Sequence, residues 1–200
     1  MRLMKTKVKH SLSVSRLPLK LSTHSKSANS PKLSLQWDKA SLQTRIEFVL
    51  GLLCLQPTTV HVEFVDVVEM GALNWQFRGK GQATDVLSFV PHASAQFSEV
   101  ASSSKKNSFM SLGDLAVCVE VCAAQAKSHR CTLADELERM IVHGLVHLKG
   151  FDHERSPAAY SVMSALEKAI RSQLKLEFGA ADFCVVKETV VLGKRREVRG

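Results

Sequence analysis

Residues 132–150, TLADELERMIVHGLVHLKG, leave this chain little freedom. Apolar side chains recur at Leu133, Leu137, Ile141, Leu145 and Leu148, the spacing that lines one face of an α-helix. Thr132 with Asp135 three residues on is a capping-box pattern that opens the helix. Gly150, free to adopt a left-handed backbone, closes it. The pattern predicts about 18 residues and roughly 27 Å of helix, with an apolar stripe that needs a second layer to pack against.

The rest of the chain supplies that layer. Residues 59–65 (TVHVEFV) alternate as a strand does, and 84–89 and 112–119 also have strand character. Helical spacing appears at Trp37, Leu42, Ile46, Val49, Leu50 and Leu53, ending before Pro57. It returns over 69–76, 120–128 and a last helix from Pro157 with Val162, Leu166, Ile170 and Leu174 on its inner face. Residues 93–111 hold seven serines and no period, so they read as a surface loop. Strands interspersed with helices in 200 residues, 45% of them hydrophobic, imply an α+β fold. It is expected as a single compact domain, a mixed β-sheet packed with helices. No apolar run reaches the roughly 18 residues of a membrane span, so no membrane partner is expected.

The formal charge of +8 is unevenly placed. Nine of 27 Lys/Arg and only one of 19 acids fall in residues 1–40, leaving the remainder balanced. The excess belongs to an N-terminal arm, with a second basic cluster at Lys194, Arg195, Arg196 and Arg199; neither cluster by itself identifies a nucleic-acid partner. The division expected is a basic arm over 1–35 with a first strand (12–15 and 19–21) and a loop (22–32), a globular domain over 36–185, and a basic tail over 186–200. Five scattered cysteines without a C-x-x-C pair fit reduced thiols in a cytosol-like compartment. The Ser-rich, acid-poor arm fits an organellar transit peptide as the alternative.

His143 and His147, four apart, project from one face of the long helix. Gly150 lets the chain reverse so that His153 can fold back towards them. Three neutral imidazoles with an open fourth position describe a catalytic zinc site, which acidifies bound water to a pKa of about 7. The bland alternative, polar residues on a half-exposed helix, suits one His pair better than three histidines in eleven residues with a glycine at the bend. His10, His24, His61, His92 and His129 have no such spacing and read as ordinary polar residues. Asp152 and Glu154 beside the third ligand either orient an imidazole or are plain loop carboxylates. The spacing is that of the H-E-x-x-H-x-x-G-x-x-H metzincin proteases, but Gly144 stands where their general base Glu would be.

The stretch His143-Gly-Leu-Val-His147-Leu-Lys-Gly-Phe151-Asp-His153 resembles the H-G-x-x-H-L-x-G-Y-D-H signature of the YbeY-type endoribonucleases, also described as rRNA maturation factors. A second block, LNWQFRGKGQATDVLSF over 73–89, is similar to that family's L-N-x-x-Y-R-x-K-D-x-P-T-D-V-L-S-F-P, and Leu112-Gly113-Asp114-Leu115 resembles its L-G-D-I strand. The departures are Phe77 and Phe151 for Tyr, Gly81 for an acid, Ala83 for Pro, and Val90 inserted before Pro91.

The resemblance implies a compact α+β fold with a metal site at the end of a core helix, one zinc ion held by His143, His147 and His153, and a functional arginine at Arg78. A guanidinium there can hold a phosphate bidentately and offset charge developing in phosphoryl transfer. The implied activity is cleavage of single-stranded rRNA, in 3′ end maturation of small-subunit rRNA and in ribosome quality control. Ribosomal or small-subunit assembly proteins are the implied partners. Asp85 or Asp114 is a candidate general base, though both lie beside strand residues. The alternatives are a metal-stabilised, non-catalytic ribosome-assembly module and a zinc metalloprotease, the latter opposed by Gly144.

Overall fold

Alternating and helical periods succeed each other along the chain. The computed structural model describes residues 11–15, 32–55, 58–91 and 110–189. Their order is β1 (Ser11–Ser15), β2 (Lys32–Trp37), α1 (Lys39–Leu52), β3 (Thr58–Val65), α2 (Val67–Arg78), β4 (Val86–Phe89), β5 (Met110–Cys118), α3 (Val119–His129), α4 (Leu133–Leu148), α5 (Pro157–Phe178) and β6 (Cys184–Thr189). The expected strand continuation at 19–21, nearly all of the 22–32 and 93–111 loops, and the cluster at 194–199 lie outside the described residues.

The main sheet has the order β1-β3-β5-β4, with the first three strands parallel and β4 antiparallel to β5. Alternation in β3 sends Val60, Val62 and Phe64 to one face, where with Leu115 and Val117 of β5 they meet α1, α4 and α5 in the main core. The other face is covered by α2, where Met70 packs with Val65, Leu87, Ala116 and Cys118. The fold is therefore α+β with helices on both faces of a mixed sheet, and α4 lies on the main-core face.

Cap chemistry sets the helix starts. Asp38 accepts the Ser41 N–H, and Asp66 accepts those of Val68 and Glu69. Thr132 and Asp135 form the reciprocal capping box, and Ser156 accepts from Ala159 with Pro157 just inside α5. Arg45, buried in α1, donates to Glu138 of α4 at 2.8 Å and to the Ala180 carbonyl at 2.7 Å, tying three segments together.

Two elements were not anticipated. β2 and β6 form a separate antiparallel pair, Trp37 opposite Cys184 and Lys32 opposite Thr189. Trp37, grouped by spacing with the first helix, ends β2 instead, its ring 4.5 Å from that of Phe64 and 6.5 Å from that of Phe183. β6 runs across the expected start of the tail at 186. Burial raises the Cys118 and Cys184 thiols to about 11 and about 12, so these free cysteines stay protonated.

Candidate metal centre

The end of α4 and the turn after it build the site. Gly150 takes φ +103° and donates to the His147 carbonyl at 2.8 Å, while Phe151 N–H reaches back to Val146 O at 3.2 Å. The chain reverses there, and Asp152 shapes the return by accepting from Glu154 N–H at 2.9 Å and Arg155 Nε at 3.2 Å. Three ring nitrogens, one each from His143, His147 and His153, thereby come within 4.8 Å of one another. Asp152 is a turn former, and neither it nor Glu154 bonds an imidazole among the described contacts.

The hydrogen bonds behind the rings decide what faces inward. His143 Nδ1 lies 2.8 Å from Glu167 Oε1, and His147 Nδ1 lies 2.9 Å from the Phe151 carbonyl. A carboxylate and a carbonyl only accept, so both Nδ1 atoms carry the proton and each neutral ring keeps its lone pair at Nε2. The two Nε2 atoms are 3.1 Å apart. Two lone pairs at that distance repel unless a cation or a proton lies between them.

The donor set fits a metal ion. The buried Nδ1 of His153 has no hydrogen-bond partner among the described residues. Zn–N bonds of about 2.0–2.1 Å in a tetrahedron require N···N edges of roughly 3.3–3.4 Å, close to the 3.1 Å between the His143 and His147 Nε2 atoms. Burial, then the neighbouring His143 and His153 rings, push the His147 pKa below its ordinary value and favour the neutral form that can act as a ligand. Three such nitrogens, with no fourth His, Cys, Asp or Glu joining the group among the described residues, are the donor set of a site with a position open for substrate or solvent.

Gly144 faces the sheet. A Cβ there would stand 2.7 Å from Leu115 Cδ2 and 3.4 Å from Ser88 Oγ. Its small size lets α4 lie close to β4 and β5, and a glutamate at this position would be driven into packed core.

Arg78 ends α2 and is exposed; Gly79 caps the helix in the left-handed region at φ 67°. The buried Asn74 amide donates to the Gln82 carbonyl at 2.6 Å and holds the following turn. Arg78 and Asp114 line one cleft of about 890 Å³ on the α2 face, together with His61, Glu63, Phe77 and Phe89. None of the three clustered histidines lines it. Ser88 and Leu115 border both the cleft and Gly144, one residue from His143. Lys80 and Lys149 are exposed and outside the cleft lining.

Asp85 is committed elsewhere: it accepts from Val86 N–H at 2.9 Å, Thr84 Oγ1 at 3.1 Å and Gln125 Nε2 at 3.0 Å. Burial alone would raise its pKa, but these donors outweigh it and hold the carboxyl below its usual range. His129 bonds Glu136 at 3.0 Å, away from the cluster on its own helix. His10, His24 and His92 lie outside the described residues.

Sequence reasoning missed Glu167. Of the expected α5 stripe, Ile170 and Leu174 are buried and Leu166 packs against the core, while Val162 is exposed and Met163 is buried in its place. Glu167 sits beside Leu166 on that inward face, four residues after Met163 and three before Ile170, and a carboxylate on a buried stripe was the signal available.

A family model described as endoribonuclease YbeY matches residues 25–175. An endoribonuclease YbeY of Bdellovibrio bacteriovorus is 38% identical over 106 residues, 53% of this chain and 61% of that protein. The chloroplastic endoribonuclease YBEY of Arabidopsis thaliana is 38% identical over 102 residues, 51% of this chain and 16% of that protein. An endoribonuclease YbeY of Acinetobacter baumannii is 30% identical over 148 residues, 74% of this chain and 89% of that protein. The match thus spans under two thirds of the first two relatives and most of the third.

Proposed function

The chain belongs to the YbeY endoribonuclease family, and from that premise we propose that it is a zinc-dependent endoribonuclease acting on single-stranded rRNA. The observation that carries the reading is the pair of Nε2 atoms 3.1 Å apart beside His153. A zinc ion held by His143, His147 and His153 would supply Lewis-acid polarisation of a phosphodiester and a nucleophile at neutral pH.

The chain's own side chains do the rest. Arg78, exposed at the cleft, holds a phosphate through two parallel N–H bonds and offsets charge as it develops on the phosphoryl oxygens. Asp114 shares that cleft, whereas Asp85 is engaged by three donors, so Asp114 is the better placed of the two acids to take a proton. The packed contact at Gly144 leaves no room for the glutamate that peptide hydrolysis by the metzincin route would use.

The biological setting we assign is 3′ end maturation of small-subunit rRNA and ribosome quality control, alongside ribosomal or assembly proteins. The compartment is the cytoplasm, or an organelle where the Ser-rich arm serves as a transit peptide; the chloroplastic relative supports keeping that alternative. No helix among the described residues is long and apolar enough to cross a membrane.

The test measures bound zinc and then cleavage of single-stranded RNA and casein by the wild type, His147→Ala and Arg78→Ala. RNA cleavage by the wild type should be lost in the folded His147→Ala variant and fall by about 100-fold or more in Arg78→Ala. Bound metal without RNA cleavage would favour a non-catalytic assembly module, and casein cleavage would favour a protease. A 2′,3′-cyclic phosphate on the product would assign the attack to the ribose 2′-hydroxyl.

A further inference from the structure

His143 is held from behind by a residue on a different helix. Glu167 lies in the middle of α5, its Oε1 2.8 Å from His143 Nδ1, and its side chain is 21% exposed. Its companions on the same stripe, Met163, Ile170 and Leu174, are buried, so α5 has little freedom to move the carboxylate away. A stripe position that would ordinarily take an apolar side chain instead carries an acid aimed at one ring nitrogen.

Resting on the reading of the three histidines as a metal site, we infer that Glu167 is a positioning residue that fixes the tautomer and orientation of His143 and so sets the affinity for the ion. As an acceptor facing Nδ1, it keeps the proton there and the lone pair at Nε2. It also increases the electron density that the ring offers a cation. The Phe151 carbonyl does the same for His147, but as a main-chain atom fixed by the Gly150 turn it cannot be removed by substitution. Glu167 is therefore the supporting contact on which substitution can test the inference.

The experiment uses the full chain stripped of metal and titrated with Zn2+ against a chromophoric chelator, and with Co2+ read by visible absorption. Wild type, Glu167→Ala, Glu167→Gln and the exposed neighbour Lys168→Ala are compared. Glu167→Ala should weaken Zn2+ binding by about 10- to 100-fold and alter the Co2+ spectrum. Glu167→Gln, whose amide oxygen still accepts the Nδ1–H, should recover much of the affinity, and Lys168→Ala should match the wild type. The metal-free forms of all four should melt together.

Unchanged Zn2+ affinity in Glu167→Ala overturns the inference. So does a metal-free Glu167→Ala that melts well below the wild type with no rescue of affinity by Gln, which would make the contact a structural prop. A wild type that binds no metal overturns both this inference and the metal site. Metal binding that depends on Glu167 in a chain that cleaves no RNA leaves the inference standing and overturns the nuclease.

Discussion

Gly144 and Gly113 occupy the same layer of contact, between α4 and the β4–β5 edge of the sheet. At 144 the obstacle to a side chain is the end of Leu115, a flexible group in a packed setting. At 113 the obstacles are the main-chain carbonyl of Phe89 and Leu148 Cδ2 at 2.9 Å, and the backbone φ of +134° is one that side chains resist. Register shifts here, Thr59 opposing Ser111 and Val60 opposing Gly113, so Leu112 is the extra residue of a bulge in β5. Gly144→Ala should lose about 1–3 kcal/mol through overpacking. Gly113→Ala should lose more, because a main-chain oxygen cannot rotate aside and strain of roughly 1–3 kcal/mol adds to the clash. Urea unfolding of both variants checks the order, and a Gly113→Ala milder than Gly144→Ala would contradict this account of the layer.

Among the elements, α4 was the most legible, because every signal for it is local: the capping box, the stripe and the terminal glycine fall within 19 residues. β2 and β6 were not, because each is six residues long and is defined by pairing across about 150 positions of chain, which no local pattern encodes. In α5 the expected Leu166, Ile170 and Leu174 do face the core, and only the first position differs, since Val162 and Met163 are equally apolar and packing alone distinguishes them. Glu167 escaped notice because nothing local marks its contact with His143, 24 residues earlier. Contacts made through main-chain atoms, such as the Phe151 carbonyl, leave no mark in residue identity at all. The α3–α4 pair supplies a pH prediction. Glu136 is 1% exposed; burial alone would raise its pKa, but bonds from Arg139 Nε at 3.1 Å and His129 Nδ1 at 3.0 Å outweigh it and hold it below its ordinary value of 4.5. The unfolded chain therefore binds the proton more readily than the folded one. The stabilisation is present above pH 4.5 and is lost as pH falls through the lower folded value. Urea unfolding from about pH 6 to about pH 3 should show stability declining with acid, and Glu136→Gln should flatten that slope. An unchanged slope would place the acid sensitivity in other carboxylates, Asp85 first.

Taken over the whole molecule, the candidate centre joins parts of the fold that share few other constraints. His143 and His147 belong to α4, His153 to the turn after it, and Glu167 to α5. The 149–156 turn is largely exposed, so a ligand inside it adds restraint where packing adds little. An ion that binds these groups only when they are assembled stabilises the folded chain by mass action, about 2.7 kcal/mol at a free concentration one hundred times Kd. For a domain of this size, each kcal/mol moves Tm by about 2–4 °C. Removing the metal with a chelator should therefore lower Tm by about 5–10 °C relative to the zinc-loaded chain. The metal-free protein should keep its α4 and its sheet, because Leu137, Ile141 and Leu145 are buried in one core with Val62, Phe64, Leu115 and Val117. Hydrogen exchange locates the loss: protection should fall first over 149–156 and the start of α5, not over β3 or β5. His147→Ala should melt at one temperature with or without chelator. A chelator-dependent shift persisting in that variant would mean that the stabilising ion binds elsewhere on the chain.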